Sequence, residues 1–203
     1  MCGQPGDRVD TDTDYYIRVR AVERLGLYAR ATYPVKIRTK PQSTTHRYAL
    51  TGTAKVKGAS VPLTGTLDTT IGSRTHTSVL TLQPTDVTLN NRPPVTAHLR
   101  FLPDGNPEGT LADGVFTTTA RVAFAIPRVT LHGHEVSLPA SCRTTPAEIP
   151  LTSGPGFDPR LGGALSGTFT MPPLSGCGQF TSLVNSLLAG GGNTVAVNLA
   201  PRG

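Results

Sequence analysis

Apolar residues alternate with threonine or a basic residue along almost the whole chain, and a period of two puts each set on one face of a β-strand. In "YYIRVRAV", Ile17 and Val19 oppose Arg18 and Arg20; in "YPVKIRTK", Val35 and Ile37 oppose Lys36, Arg38 and Lys40. "RYALTGTAKVKG" and "VPLTGTLDTTI" read as a strand pair around Gly58–Ser60. "THTSVLTLQP" and "VTAHLRFLP" follow, separated by the break "NNRPP" at Asn90–Pro94. In "EGTLADGVFTTTARVAFAI", Asp113-Gly114 stands between two alternating runs, as a type I′ hairpin turn requires. Phe116, Val122, Phe124 and Ile126 share one face there, and Pro127, which cannot donate to a ladder, is expected to end the strand. Leu131–Leu138, "AEIPLTS" and "LGGALSGTFTMPPL" supply further strands.

The period changes once. Phe180, Leu183, Val184 and Leu187 fall on one stripe of a helix, with Ser182, Asn185 and Ser186 away from it. Gly190–Gly192 are expected to supply the left-handed backbone that ends it. Val195, Val197 and Leu199 then face inward on a last strand. The tetrapeptide "LTGT" occurs at Leu50 and Leu63, with "LSGT" at Leu165, but Gly-Thr is common in strands and these do not read as repeats. With 22 glycines and 18 prolines among 203 residues, the expectation is many short strands joined by tight turns. The fold class is all-β, a mainly antiparallel sandwich or partly closed barrel, with one short C-terminal amphipathic helix. Residues 1–14 read as a flexible polar tail and 15–203 as a single domain. No apolar run approaches the ~18 residues that cross a membrane.

The net charge of +6 is unevenly spread. Between Tyr15 and Lys57 there are ten basic residues and one acid, Glu23. Arg18, Arg20, Lys36, Arg38, Lys40, Lys55 and Lys57 make a candidate basic surface for an anionic partner, an envelope polymer or lipid. A solvated outer sheet face is the plainer explanation. Tyrosines interleave with these charges, yet no nucleic-acid module is recognisable, and nucleic acid is not an expected partner.

There are three cysteines, Cys2, Cys142 and Cys177, and no CxxC pair that would suggest zinc. Cys142 and Cys177 flank a segment rich in turn residues, which suits a disulfide in an exported protein; two buried reduced thiols in the cytosol are the competing reading. The run Cys142…"TPAEIPLTSGPGFDPRLGGALSGTFTMPPLSGCGQFTSLVNSLLAGGGNT" resembles the C-terminal half of uncharacterised exported proteins of actinobacteria. Several spacings agree over Cys142–Thr194, with "YPVKIRTK" and "FLPDGNPEGTL" extending the likeness upstream. The resemblance implies an extracellular or envelope protein with a Cys142–Cys177 disulfide, and it brings no catalytic residues. Residues 1–30 lack the apolar core of a signal peptide. Cys2, in "MCG", matches the lipid-bearing cysteine of a processed lipoprotein or is incidental.

No catalytic signature emerges. His132 and His134 share a strand face on this reading, but a metal site needs a third convergent ligand, and Glu135 points the other way. "DTDTD" lacks the glycine and the bidentate acid of a calcium loop. "GALSG" is not a nucleophile elbow, and "AGGGNT" reverses the order of a phosphate loop. No cofactor or metal is implied. The expectation is a non-enzymatic binding or structural protein of the cell envelope or exterior. The alternative is a carrier of lipid or a small apolar ligand, its cavity lying beneath a helix lid formed by Phe180, Leu183, Val184 and Leu187.

Overall fold

The computed structural model describes residues 14–17, 35–38, 43–89 and 95–202. The chain divides into two units, 1–43 and 44–203, where the alternation suggests a single domain over 15–203. In the first unit β1 (Asp14–Ile17) pairs antiparallel with β2 (Val35–Arg38), setting Tyr16 opposite Lys36 and Asp14 opposite Arg38. Arg18, Arg20, Lys40, Cys2 and all but the last residue of the expected tail lie outside the described residues.

In the second unit eight strands close into a ring, the barrel side of the sequence expectation. They are β3 (Thr44–Val56), β4 (Ala59–Ile71), β5 (Thr75–Leu82), β8 (Glu108–Ala112), β9 (Val115–Leu131), β12 (Ala147–Ser153), β13 (Gly163–Met171) and β15 (Gly190–Pro201). The order is β12-β13-β15-β3-β4-β5-β8-β9, and β9 returns to β12, so the ring has no open edge. Every pairing in it is antiparallel. β6 (Thr85–Leu89) pairs with β7 (Val95–Pro103), and β7 continues along the second half of β9. β10 (His134–Ser137) and the two-residue strands β11 (Arg143–Thr144) and β14 (Leu174–Ser175) complete the sheet. β6 escaped the sequence reading because its five residues are enclosed between Pro84 and the 90–94 break.

The alternation resolves into an apolar inside and a polar outside. On β15, Val195, Val197 and Leu199 are buried while Thr194, Ala196 and Asn198 are exposed. On β4, Val61, Leu63 and Leu67 are buried, with Pro62 and Thr64 exposed. Each fully buried Val or Leu contributes roughly 1.5–3 kcal/mol, an upper bound against a compact unfolded chain.

The "LTGT" and "LSGT" motifs, not read as repeats, place their glycines at comparable points of the ring. Gly52, Gly65, Gly109 and Gly167 are each followed by threonine and each face inward. A Cβ on Gly52 would lie 2.3 Å from the Ala196 carbonyl oxygen; on Gly65, 2.0 Å from that of Thr81. On Gly109 it would lie 1.9 Å from the Thr117 oxygen, and on Gly167, 1.9 Å from that of Pro150. The four contacts fall at β3/β15, β4/β5, β8/β9 and β13/β12, which are alternate seams around the ring. Glycine at these points lets a strand coil sharply against its neighbour, as closing a small barrel demands.

Four local expectations are corrected. Pro127 does not end β9, which runs on to Leu131. The proline sits opposite the irregularity between His98 and Arg100 of β7, where the missing N–H is not needed. Leu131–Leu138 is not one strand: His132 and Gly133 both have positive φ and form the turn from β9 to β10. β3 stops at Val56, and Lys57 (φ 49°) with Gly58 makes the hairpin turn. The helix α1 (Thr181–Leu188), preceded by a 3₁₀ turn at Gly178–Phe180, ends at Ala189 in extended conformation. Gly190 and Gly192 take positive φ beyond it, inside β15.

Candidate functional site

The barrel interior is the first place to look for a ligand. Two apolar cavities lie side by side in it, of about 60 and 40 Å³. They share Leu63, Leu82, Val122, Ile149 and Val195 in their walls. A ligand-binding pocket generally occupies ~300–1,000 Å³, and a cavity that holds benzene is about 150 Å³. The rest of the inside is filled by side chains. Phe116, Phe124 and Ile126 of β9 are buried, and the Phe124 ring lies between Phe101, edge-on at 5.8 Å, and Phe169, stacked at 6.2 Å. Neither cavity is lined by Phe180, Leu183, Val184 or Leu187, the residues expected to form a lid.

One end of the interior holds a polar cluster that the sequence did not flag. His76, Ser78, Thr69 and Thr118 are all buried. His76 Nε2 is 2.8 Å from the Thr117 carbonyl oxygen, which can only accept, so Nε2 carries the proton. Nδ1 therefore accepts from Ser78 Oγ at 3.2 Å, and Ser78 accepts from Thr69 at 2.9 Å. The ring stacks on Phe116 at 4.2 Å. Burial pushes the imidazole pKa below its ordinary 6.5, while the bond to Thr117 opposes that shift. A histidine beside a serine suggests nucleophilic chemistry, but Ser78 is 0% exposed and the core consumes its hydrogen bonds. This cluster is structural.

The outer wall offers more room. A concave groove of about 740 Å³ crosses β12, β13, β15 and β3, over Thr51, Thr53, Thr152, Ser166, Ala196 and Asn198. A second hollow of about 420 Å³ adjoins it through Thr53, Ser166 and Ala196 and reaches Lys55. Lys55 is exposed on the outer face, in register with Thr194 and Ser60. The stem of Lys57 lies against Gly190, and its amide donates to Asn193 Oδ1 at 3.3 Å. Of the candidate basic surface, then, Lys55 and Lys57 are on the barrel, Lys36 and Arg38 are in β2, and Arg18, Arg20 and Lys40 lie outside the described residues.

Cys142 and Cys177 form a disulfide, and both are buried. It joins the chain just before β11 to the entrance of the 3₁₀ turn, with support from Ser141 Oγ donating to Gly176 O at 3.0 Å. Val184 and Leu188 are the buried residues of α1; Phe180, Leu183 and Leu187 are half-buried. Asn185, expected on the outer side, turns toward β14: its Oδ1 accepts from the Leu174 amide at 2.7 Å and its Nδ2 donates to the Leu174 oxygen at 2.9 Å. No hydrophobic stripe could announce this contact, since it depends on a two-residue strand brought in by the disulfide.

His132 and His134 do not share a strand face, because His132 is in the turn. Glu135 pairs with Arg128 at 3.5 Å. Among the described residues no three His, Cys, Asp or Glu side chains gather closely enough to hold a metal ion. His98 Nδ1 donates to Asp86 Oδ1 at 2.6 Å across β6 and β7, on the surface.

Among the described residues these features define an all-β fold: a closed antiparallel barrel with a nearly filled apolar inside, a polar outside and one helix pinned by a disulfide. No family model, curated protein or solved structure matches the chain. No helix in the described residues is long and apolar enough to cross a membrane.

Proposed function

We propose that this chain is a non-enzymatic binding protein of the cell exterior or envelope, meeting an anionic surface through its outside. The filling of the barrel carries this reading: cavities of about 60 and 40 Å³ leave no room for a lipid, so contact falls to the outer surface. The buried disulfide suits an oxidising compartment. The ten basic residues against one acid between Tyr15 and Lys57 give the sign of the partner.

The test is sedimentation of the full chain with phosphatidylglycerol vesicles and with neutral phosphatidylcholine vesicles. Binding to the anionic vesicles alone, weakening as salt rises and falling in an Arg18→Glu, Arg20→Glu, Lys55→Glu variant, is the expected result. Equal association with both vesicles counts against it. A stoichiometric apolar molecule in an organic extract of the purified protein would restore the carrier.

A further inference from the structure

Three arginines far apart in sequence converge on one cleft of about 510 Å³ at an end of the barrel. Arg47 comes from β3, Arg160 from the turn between β12 and β13, and Arg202 from just beyond β15. His46, Tyr48 and Pro159 stand between them. The backbone that presents these side chains is tied in three places. Tyr48, 1% exposed, donates its hydroxyl to the Pro159 oxygen at 2.5 Å. The Arg202 amide donates to the Arg47 oxygen at 2.8 Å, and the Arg160 amide to Asp158 Oδ1 at 2.8 Å.

Among the described residues the acids nearby are Asp158, which accepts that amide, and Asp68, opposite Arg47 in the β3–β4 register. Against these two carboxylates the three guanidinium groups leave a positive balance. The volume falls in the range of small-molecule sites, well above what one bare inorganic ion fills. A guanidinium presents a rigid fork that matches two phosphate oxygens. We propose that this cleft binds a phosphate group carried on a small polar organic unit of about sugar-phosphate size. The inference rests on the reading above that the partner is anionic and met from outside, and it adds a site and a ligand class.

Calorimetric titration of the full chain with glucose 1-phosphate, inorganic phosphate and glucose tests it. Saturable binding is expected for glucose 1-phosphate, weaker binding for inorganic phosphate and none for glucose. Arg47→Gln, Arg160→Gln and Arg202→Gln should each weaken the complex about tenfold, with lysine at the same positions recovering only part of the loss. Arg128→Gln, on β9 beyond the half that pairs with β12 and itself paired with Glu135, should change nothing. Absence of saturable binding by either phosphate overturns the proposal, as does an equal loss in Arg128→Gln, which would show diffuse charge. Vesicle binding without phosphate binding sinks the cleft and leaves the anionic-surface reading standing; phosphate binding without vesicle binding does the reverse.

Discussion

At His76 the barrel buries a group that water would charge below pH 6.5. Among the described residues its polar partners are a carbonyl that needs the Nε2 proton and a hydroxyl that offers one to Nδ1, so the neutral ring satisfies the whole cluster. Burial holds the folded pKa below 6.5, and the unfolded chain therefore binds the extra proton first as pH falls. Stability is at its full value above pH 6.5 and declines below it, down to the folded pKa. Denaturant unfolding at a series of pH values should show that decline in the native chain, and His76→Gln, whatever its baseline, should lose the part of the slope that begins near 6.5. Tyr48 moves the other way: burial first, then the charge of Asp158, raise its pKa to about 12. At this scale the sequence was a fair guide to which side a residue faces and a poor one to its partners. Alternation placed Phe116, Val195 and Leu199 inside. Nothing local could announce that His76 would meet Thr117, 41 residues away, or that Asn185 would clasp Leu174.

Strands in this fold are shaped by where they cannot carry a side chain. Gly109 shows the constraint doubly, because a Cβ there would meet both the Thr117 carbonyl at 1.9 Å and His76 Nε2 at 2.8 Å. Neither can retreat without breaking the β8–β9 ladder or the polar cluster behind it. Gly109→Ala should therefore cost more than about 4 kcal/mol, a loss reserved for severe steric or network damage, or prevent folding outright. Gly154 has no neighbour within 4 Å of its would-be Cβ and no positive φ, so Gly154→Ala should leave the melting temperature almost unchanged. Thermal melts of the two variants side by side make the comparison. The hairpin at Asp113-Gly114 and the amphipathic α1 were legible because their signals are local, a dipeptide and a stripe. Pro127 misled because its tolerance depends on a bulge in a different strand, β7.

For the molecule as a whole, closure and charge convergence are the properties that no segment displays. Sandwich and barrel share the same alternation; only the β9–β12 pairing, which returns the last seam to the first, separates them. The arginine cleft is likewise invisible along the chain, since residues 47, 160 and 202 meet only when β15 lies against β3. The disulfide acts at this scale too, closing a 35-residue separation that spans β11 through β14. In the chain-entropy account such a link adds about 4 kcal/mol. Cys142→Ser with Cys177→Ser should lower the midpoint of denaturant unfolding by a corresponding amount. The ladder from β3 through β5 contains no residue from the linked segment, so hydrogen exchange there should report one shared loss of global stability and no separate local opening.

The pairing of β15 with β3 sets a timetable as well as a shape. Eight residue pairs, from Thr194 opposite Lys55 to Pro201 opposite Tyr48, join one of the first barrel strands to be synthesised to the last. Until β15 has been made, β3 and β13 present unpaired backbone on the sides that it will cover, and the ring cannot shut. Contacts this remote in sequence are slow to form and leave sticky edges while they are awaited. A chain halted before residue 190 should be aggregation-prone, and its completion should be the event that releases it into a soluble, closed form.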